Sequence, residues 1–445
     1  MVRPRMLVPP ASPWVVLGSG SFGVVLGNGS RVIKLFFEDD GLLQAAIQGR
    51  PPPPGAFSRG PVVEPRYGAA SARKEADALA PFVALAPHLP RPFMVSPAMT
   101  HPGDCRSAIV EVSARLLGFD EDVALRYGIL PRTTFHGLEM RYGGKSLRLE
   151  ARALRHMAKV DATTHFHDVM HHSVGLFEAL VAFRQQGLVH LDITTLNIVR
   201  DPDTRSLLLI DFGLASRAEW NQRRRRWPPL SFIFYPPDLA VAGAVRQLGC
   251  GADPSAPTLP PRVRQVLERT YNTEAPSFVP AGSTARQFPT LWDLNDFLAR
   301  KEEEGGRVPV PAPSPSPALR VLDARDVPPE QLLRDLQSPR HPATDADRMS
   351  ALDVFMLGRS LLVFMHDVRP QWSPFTTAVA HVLCGMQHPS AAHRLTAEEA
   401  LAALQLVLVD PLEYIARATT QDAPDAEPQS SSSSPGPSAS MRSPL

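Results

Sequence analysis

The stretch from His190 to Asn197, HLDITTLN, puts Asp192 and Asn197 five residues apart on one short loop. A carboxylate there can take the proton of an attacking hydroxyl, and an amide oxygen can hold a metal ion. Asp211 follows 19 residues after Asp192, in Asp-Phe-Gly at the end of the apolar run 207–210. A second carboxylate in that place can bind a Mg²⁺ ion that bridges phosphates. Transfer of a phosphoryl group is mostly positioning plus charge neutralisation. It therefore also needs a cation and a cradle for the phosphates, and both must come from elsewhere in the chain.

The cradle candidate is Leu17, Gly18, Ser19, Gly20, Ser21, Phe22, Gly23, Val24 and Val25, a G-x-G-x-x-G-x-V pattern. Glycines in a hairpin let backbone N–H groups approach phosphate oxygens, since no Cβ intervenes. Alone the pattern is weak, because glycine-rich turns are common. A dinucleotide site would need a helix after the third glycine, and a β-type run follows instead. Lys34, closing the run RVIK 16 residues after Gly18, is the cation candidate. Only five of the 46 basic residues are lysines, so its placement carries more information than usual. A strand-borne lysine under a glycine lid can meet α- and β-phosphates if a carboxylate holds it. Glu75, on a helix 41 residues later, is that carboxylate. The plainer alternative makes Lys34 a solvated strand residue and Glu75 an ordinary helix glutamate.

These groups need a scaffold. Residues 14–37 read as strand, glycine loop, strand, turn and strand, with Asn28-Gly29 expected to form a type I′ hairpin turn. Residues 71–85 read as a helix with Ser71 as a possible N-cap, and 135–142 as a strand ending before Gly143-Gly144. A helix is expected over 168–186, with Val174, Phe177, Leu180 and Val181 on one face. Short strands are expected at 196–199 and 207–210, and helices at 350–366, 375–384 and 396–409. Residues 41–70 and 243–345 are proline-rich and read as insertions, the second partly extended and partly disordered with helical patches at 262–269 and 328–337. The tail from about 418, with Ser430 to Ser434 in a row, holds too little apolar surface to fold.

At 445 residues the chain can bury a sizeable core, and its 44% hydrophobic content is ordinary for a globular protein. A net charge of +1 gives no overall field for nucleic acid or membranes. No window approaches about 18 apolar residues, so no membrane-spanning helix is expected. Pro9, Pro10 and Pro13 interrupt any signal-peptide-like run. Cys105, Cys250 and Cys384 form no CxxC pair, which points to a reducing compartment. Proline, at 47 residues, is about twice its usual share of roughly 5%. The enrichment in Arg, Ala and Pro fits a GC-rich coding sequence.

Taken together, these motifs resemble those of eukaryotic-type protein kinases. The likeness extends past the loop residues to YPPDL (235–239), DVFMLG (353–358) and HRLTAEEAL (393–401). The resemblance implies an α+β bilobal fold. Its small antiparallel-sheet lobe would cover 14–142, its mostly helical lobe 143–410, and a disordered tail 411–445. It implies ATP and Mg²⁺ as ligands, with Asn197 and Asp211 holding the metal and Asp192, Lys34, Asn197 and Asp211 catalytic. Val25 and Val32 would roof the adenine and Val199 would floor it. Glu139 and Arg141 would supply hinge backbone groups, with Leu138 as gatekeeper. Asp353 would brace the catalytic loop, and Asp238 would pair with Arg394. In detail the glycine hairpin and HLDITTLNI are most similar to the herpesvirus-encoded serine/threonine kinases of virions. That likeness implies protein substrates, and host nucleus, cytoplasm and virion tegument as locations. Neither nucleic-acid binding nor membrane association is expected, and the oligomeric state is left open.

Two departures from the family pattern matter. Leu191 replaces the usual Arg, and Thr194 replaces a Lys that would touch the γ-phosphate; losing one such contact is expected to cost about 10²-fold in rate. A nucleotide-binding scaffold without activity is one rival reading, and a small-molecule phosphotransferase is another. RRRR at 223–226 reads either as an acidic-substrate or nuclear-import element or as a solvated loop. His165, His167, His171 and His172 read as a polar helix face rather than a metal site. Leu191 cannot clamp a phosphate on the activation loop, so activity is expected to be independent of that modification. Phosphatase treatment of the purified protein should leave its rate unchanged.

Overall fold

The computed structural model describes residues 15–20, 23–36, 66–67, 69–95, 103–104, 134–217 and 345–421, with positions 236, 294, 296–300, 331 and 335. Its described part is α+β, with small, mainly antiparallel sheets and many helices. Strands β1 (Val15–Gly20), β2 (Gly23–Gly27) and β3 (Arg31–Phe36) form a meander. Short β4 (Arg66–Tyr67) precedes helix α1 (Ala69–Leu85), and short β5 (Gly103–Asp104) precedes β6 (Thr134–Arg141). The sheet order is β1-β2-β3-β6-β4, with β5 also on β6.

The β2–β3 turn forms, but one residue later than a type I′ Asn-Gly turn requires. Asn28 N–H donates to the Arg31 carbonyl at 3.1 Å, so Gly29 and Ser30 are the central pair. Only Gly29 has a positive φ, 87°, as a glycine-first hairpin turn needs. The Asn28 side chain instead accepts from the N–H groups of Ser30 and Arg31.

After β6 come β7 (Lys145–Ser146) and helix α2 (Leu147–Leu154), whose N-cap Ser146 accepts from Leu149 N–H. The single helix expected over 168–186 is two, α3 (Lys159–His172) and α4 (Val174–Gln186). At the joint, Ser173 turns both its N–H and its hydroxyl to the Met170 carbonyl, which interrupts the i→i−4 ladder. Gly187, at φ 61°, caps α4 in the left-handed region. Strands β8 (Leu188–Val189), β9 (Ile198–Arg200), β10 (Leu207–Leu209) and β11 (Ser216–Arg217) follow. They build a β10-β9-β7 sheet and a β11-β8 pair. Helices α5 (Asp345–Val368), α6 (Pro374–Gly385), α7 (Ala397–Val409) and α8 (Pro411–Gln421) complete the chain. Capping boxes start α6 (Ser373 with Thr376) and α7 (Thr396 with Glu399).

Three expectations need correction. Helix α1 begins at Ala69, so Ser71 lies inside it and is not its cap. Residues 411–421 are helical and pack on α6 and α7, so the folded part extends past 410. Asp347–Val368 is long and apolar enough to cross a membrane by length and composition, yet 89% of its apolar window is buried in the fold. It packs against α2, α3, α4, α6, α7 and β8, as a core helix does. The segment read as an insertion also reaches the core: Leu294, Phe297 and Leu298, at i, i+3, i+4 spacing, are buried in the main cluster. The rest of 243–345 is outside the described residues apart from the positions given above, as are RRRR, Cys105 and Cys250 and nearly all of 41–70.

Gly143 and Gly144 join β6 to β7 where there is no room for a side chain. Gly144 has φ 97°, and a Cβ there would collide with the Arg200 carbonyl oxygen. Gly187 also has positive φ but open space around it. Gly144→Ala should therefore cost about 3 kcal/mol or more, and Gly187→Ala only about 1 kcal/mol, in denaturant unfolding.

Candidate functional site

Lys34 lies in β3, opposite Val25 of β2 and Leu138 of β6. Directly opposed and alternate residues share a face of a pleated sheet, so Val25, Val32, Lys34, Leu138 and Met140 share one face. The Lys34 ammonium donates to both Glu75 oxygens, at 2.8 and 2.9 Å, and to Asp211 Oδ1 at 2.6 Å. Lys34 and Glu75 are both buried. Burial opposes the lysine's charge, but the two carboxylates outweigh it and hold its pKa above the ordinary value.

Asp211 ends the run that starts with β10, and its backbone is left-handed, with φ 62° and ψ 71°. Its Oδ1 also accepts from Gly213 N–H at 3.3 Å. Burial would raise the Asp211 carboxyl, but Lys34 and the Gly213 N–H more than offset this and hold it low. The next residue, Phe212, is anchored between Phe82 of α1 at 4.9 Å and the His190 ring at 4.6 Å. The same three-residue turn therefore aims Asp211 at Lys34 and docks onto the helix that carries Glu75.

The His190–Asn197 loop is held from below by Asp353 of α5. Asp353 accepts from His190 N–H at 2.7 Å and from Leu191 N–H at 2.8 Å. Complete burial raises the Asp353 carboxyl to about 7, although both N–H groups pull it down. Leu191 has φ 65°, and its side chain is buried in the main core. Ser360, also on α5, donates its hydroxyl to the Ile193 carbonyl at 2.8 Å. Asn197 donates its amide to the Asp192 backbone carbonyl at 2.9 Å and to Asp192 Oδ2 at 2.8 Å. Its other amide atom, an oxygen, is thereby turned from Asp192. Burial, reinforced by the Asp211 charge, raises the Asp192 carboxyl to about 7, against the pull of Asn197 and Lys34. Asp192 thus shares an electrostatic neighbourhood with Lys34 and Asp211. Thr194 is buried.

The glycine hairpin closes with Gly20 opposite Gly23, and Ser21 and Phe22 are outside the described residues. Leu17 sits at a bulge in the β1–β2 register, where it covers Gly27. Gly18 pairs with Val25, Ser19 with Val24, and Val24 with Leu35.

Around the expected hinge, Leu138 and Met140 lie on one face of the β3–β6 ladder but in different surroundings. Leu138 is buried with Ala72 and Ala76 of α1, behind Lys34. Met140, opposite Val32, packs instead with Val95, Val199, Leu208 and Ile210. Glu139 lies within the β3–β6 ladder opposite Ile33, and its carboxylate pairs with Arg31 at 2.9 Å. Arg141 reaches the β9–β10 turn, where it pairs with Asp201 and Asp203. Only the pairing register separates Leu138 from Met140. Both fit an apolar position in the same run, so sequence had no signal to choose between them.

Arg394 donates to the carbonyls of Ala351, His388 and Pro389, and its guanidinium lies 5.1 Å from the Phe355 ring centroid. Asp238, its expected partner, is outside the described residues. The histidines of α3 do structural work: His165 meets Glu150 and Arg200, His172 meets Asp168, and His167 and His171 face Phe375. Among the described residues no group of three His, Cys, Asp or Glu side chains is placed to hold a metal ion. Asn197 and Asp211 are two oxygen donors, a number that suits Mg²⁺ when phosphate and water oxygens complete its shell.

No protein-family model matches the chain, and no curated protein matches it either.

The raised Asp192 pKa makes a signed prediction. The native state holds this proton between 3.8 and about 7, where the unfolded chain has released it. Stability from this group is therefore lost as pH rises through that window. Asp192→Asn keeps an acceptor for the Asn197 amide and removes the charge. It should stabilise the protein by roughly 1–3 kcal/mol at pH 8 and by little at pH 5, read from thermal or urea unfolding at both pH values.

Proposed function

We propose that the chain is an ATP-dependent serine/threonine protein kinase with a bilobal fold, of the kind that herpesviruses encode, acting on viral and host proteins. The observation that carries this reading is the Lys34 ammonium, shared between Glu75 on one side and Asp211 on the other, with Asp192 and Asn197 facing the same space. A lysine so held is oriented for phosphate oxygens without needing to move. On this reading the nucleotide lies between the face carrying Val25, Val32 and Met140 and the floor made by Val199. Backbone groups from Arg141 onward meet the base.

Asp192 then orients the acceptor hydroxyl and takes its proton. A carboxyl with a pKa near 7 is closer in basicity to its task than an ordinary aspartate. Asn197 fixes the Asp192 carboxylate through its amide, and its oxygen with Asp211 would hold Mg²⁺. When bound, that ion neutralises charge on the phosphates. Lys34 stabilises the α- and β-phosphates, so the γ-phosphoryl group stays in line with the acceptor. The hydroxyl oxygen bonds to the γ-phosphorus as the bond to the β-phosphate oxygen breaks, giving a phosphoprotein and ADP. Asp353 and Ser360 hold the loop in place throughout, and the Arg whose place Leu191 takes in that loop has no part in the scheme.

Purified protein with radiolabelled ATP, Mg²⁺ and generic basic and acidic protein substrates tests the proposal. Wild type should label protein, while Lys34→Met and Asp192→Asn should each lose about 10²-fold or more. Nucleotide binding without transfer would leave a scaffold, and labelling of nucleosides or aminoglycosides instead of protein would leave a small-molecule phosphotransferase. Unchanged transfer in Lys34→Met would mean that the nucleotide site lies elsewhere.

A further inference from the structure

Backbone bonding sets three exposed side chains beside the loop that carries Asp192, forming a rim that the scheme above does not use. Asn197 and Ile198 both donate their N–H groups to the Thr194 carbonyl, so residues 194–197 form a tight turn. Leu196, at its tip, is four residues from Asp192 and 46% exposed. Arg148 N–H donates to the Thr195 carbonyl at 3.0 Å, which sets the first turn of α2 against this loop. The next residue, Leu149, is 50% exposed. Strand β7 pairs with β9, Lys145 opposite Arg200 and Ser146 opposite Val199, and β9 begins directly after Asn197. Lys145 is thereby held on the strand beside this loop and is exposed.

The charges on this rim are one-sided. No carboxylate among the described residues pairs with Lys145. Of the neighbouring acids, Glu150 turns to His165 and Arg200, Asp201 pairs with Arg141, and the exposed Asp203 lies farther along the β9–β10 turn, 3.5 Å from Arg141. The residues around Lys145 are committed too, Ser146 as the cap of α2 and Arg148 to Asp367. Among the described residues the rim therefore offers an incoming segment two exposed leucines and a cation with no carboxylate paired to it.

Resting on the kinase reading of Asp192, we propose that this rim selects the acceptor. The hydroxyl-bearing segment seats an apolar side chain on Leu196 and Leu149 and brings an acidic group to Lys145. A segment with a basic residue in that place meets like charge and finds no partner.

The test uses the full-length protein and a pair of peptides, a serine flanked by Leu and Glu residues and the same peptide with Arg for Glu. Wild type should favour the acidic peptide by about three- to tenfold in kcat/KM. Lys145→Glu should abolish or reverse that preference with KM for ATP unchanged, and Lys145→Arg should retain it. Leu196→Ala should lower kcat/KM only for peptides that carry the leucine. An unaltered preference in Lys145→Glu overturns the proposal. So does a rise in KM for ATP with unchanged peptide selectivity, which would assign Lys145 to the nucleotide. Wild-type protein that transfers to no peptide or protein sinks the kinase reading itself, and this inference with it.

Discussion

A buried ammonium cannot stay charged without opposing charge around it, and Lys34 has two carboxylates. They come from parts of the chain that have no local reason to meet, a helix 41 residues on and a turn 177 residues on. Removing one partner of a buried pair typically costs about 3–5 kcal/mol, because the remaining charge is stranded. The arrangement thus ties the six-stranded sheet to α1 and to the Phe212 turn at once. Phe212 reinforces the junction with apolar contact, since its ring touches Phe82 on α1 and the His190 ring. Charge and packing therefore both join the Phe212 turn to α1, with charge adding the sheet and packing adding the His190 loop.

Asp353 does for the His190–Asn197 loop what Glu75 does for Lys34. Two N–H groups that turn into the core there would be unsatisfied without an acceptor, and a carboxylate accepts both. The cost is a carboxyl that burial pushes to about 7 and a leucine kept in the left-handed region. Such strain persists only where the surroundings over-determine it. Here the Leu191 side chain is locked in the core while its N–H is locked on Asp353. With Leu191 in place of arginine the loop owes its shape to α5 and to packing. On the proposed kinase reading, this is a physical basis for independence from a phosphate clamp at Leu191.

The proposed acceptor rim follows from the same economy of charge. The acids near the loop are already engaged, by Lys34, by Arg141, or by His165 and Arg200. The exposed side chains that the described backbone sets beside the loop, Leu149, Leu196 and Lys145, are apolar or cationic. Under that proposal, discrimination among acceptors would depend on which charges the fold has already neutralised, a property of the assembled structure rather than of any one motif.

The chemical groups were legible from residue type and spacing alone. Lysine is scarce in this chain, and Asp-Phe-Gly, HLDITTLN and the glycine hairpin each carry local constraints that survive without tertiary context. Most helices were legible too, because a 3.6-residue apolar period marks them whatever they pack against. Tertiary structure decided what depends on partners. The β3–β6 register put Met140, rather than Leu138, beside Val199, since a shift of two residues keeps every side chain on its face and leaves no trace in the pattern. Ser173 divided one apolar period into two helices, because its bonds to Met170 compete with the helix ladder. Leu294, Phe297 and Leu298 were hidden in a proline-rich stretch until the core gave them something to bury against. The sequence by itself determined which side chains could do chemistry, and only folding decided which of them share a space, because burial and charge pairing are relations between distant residues.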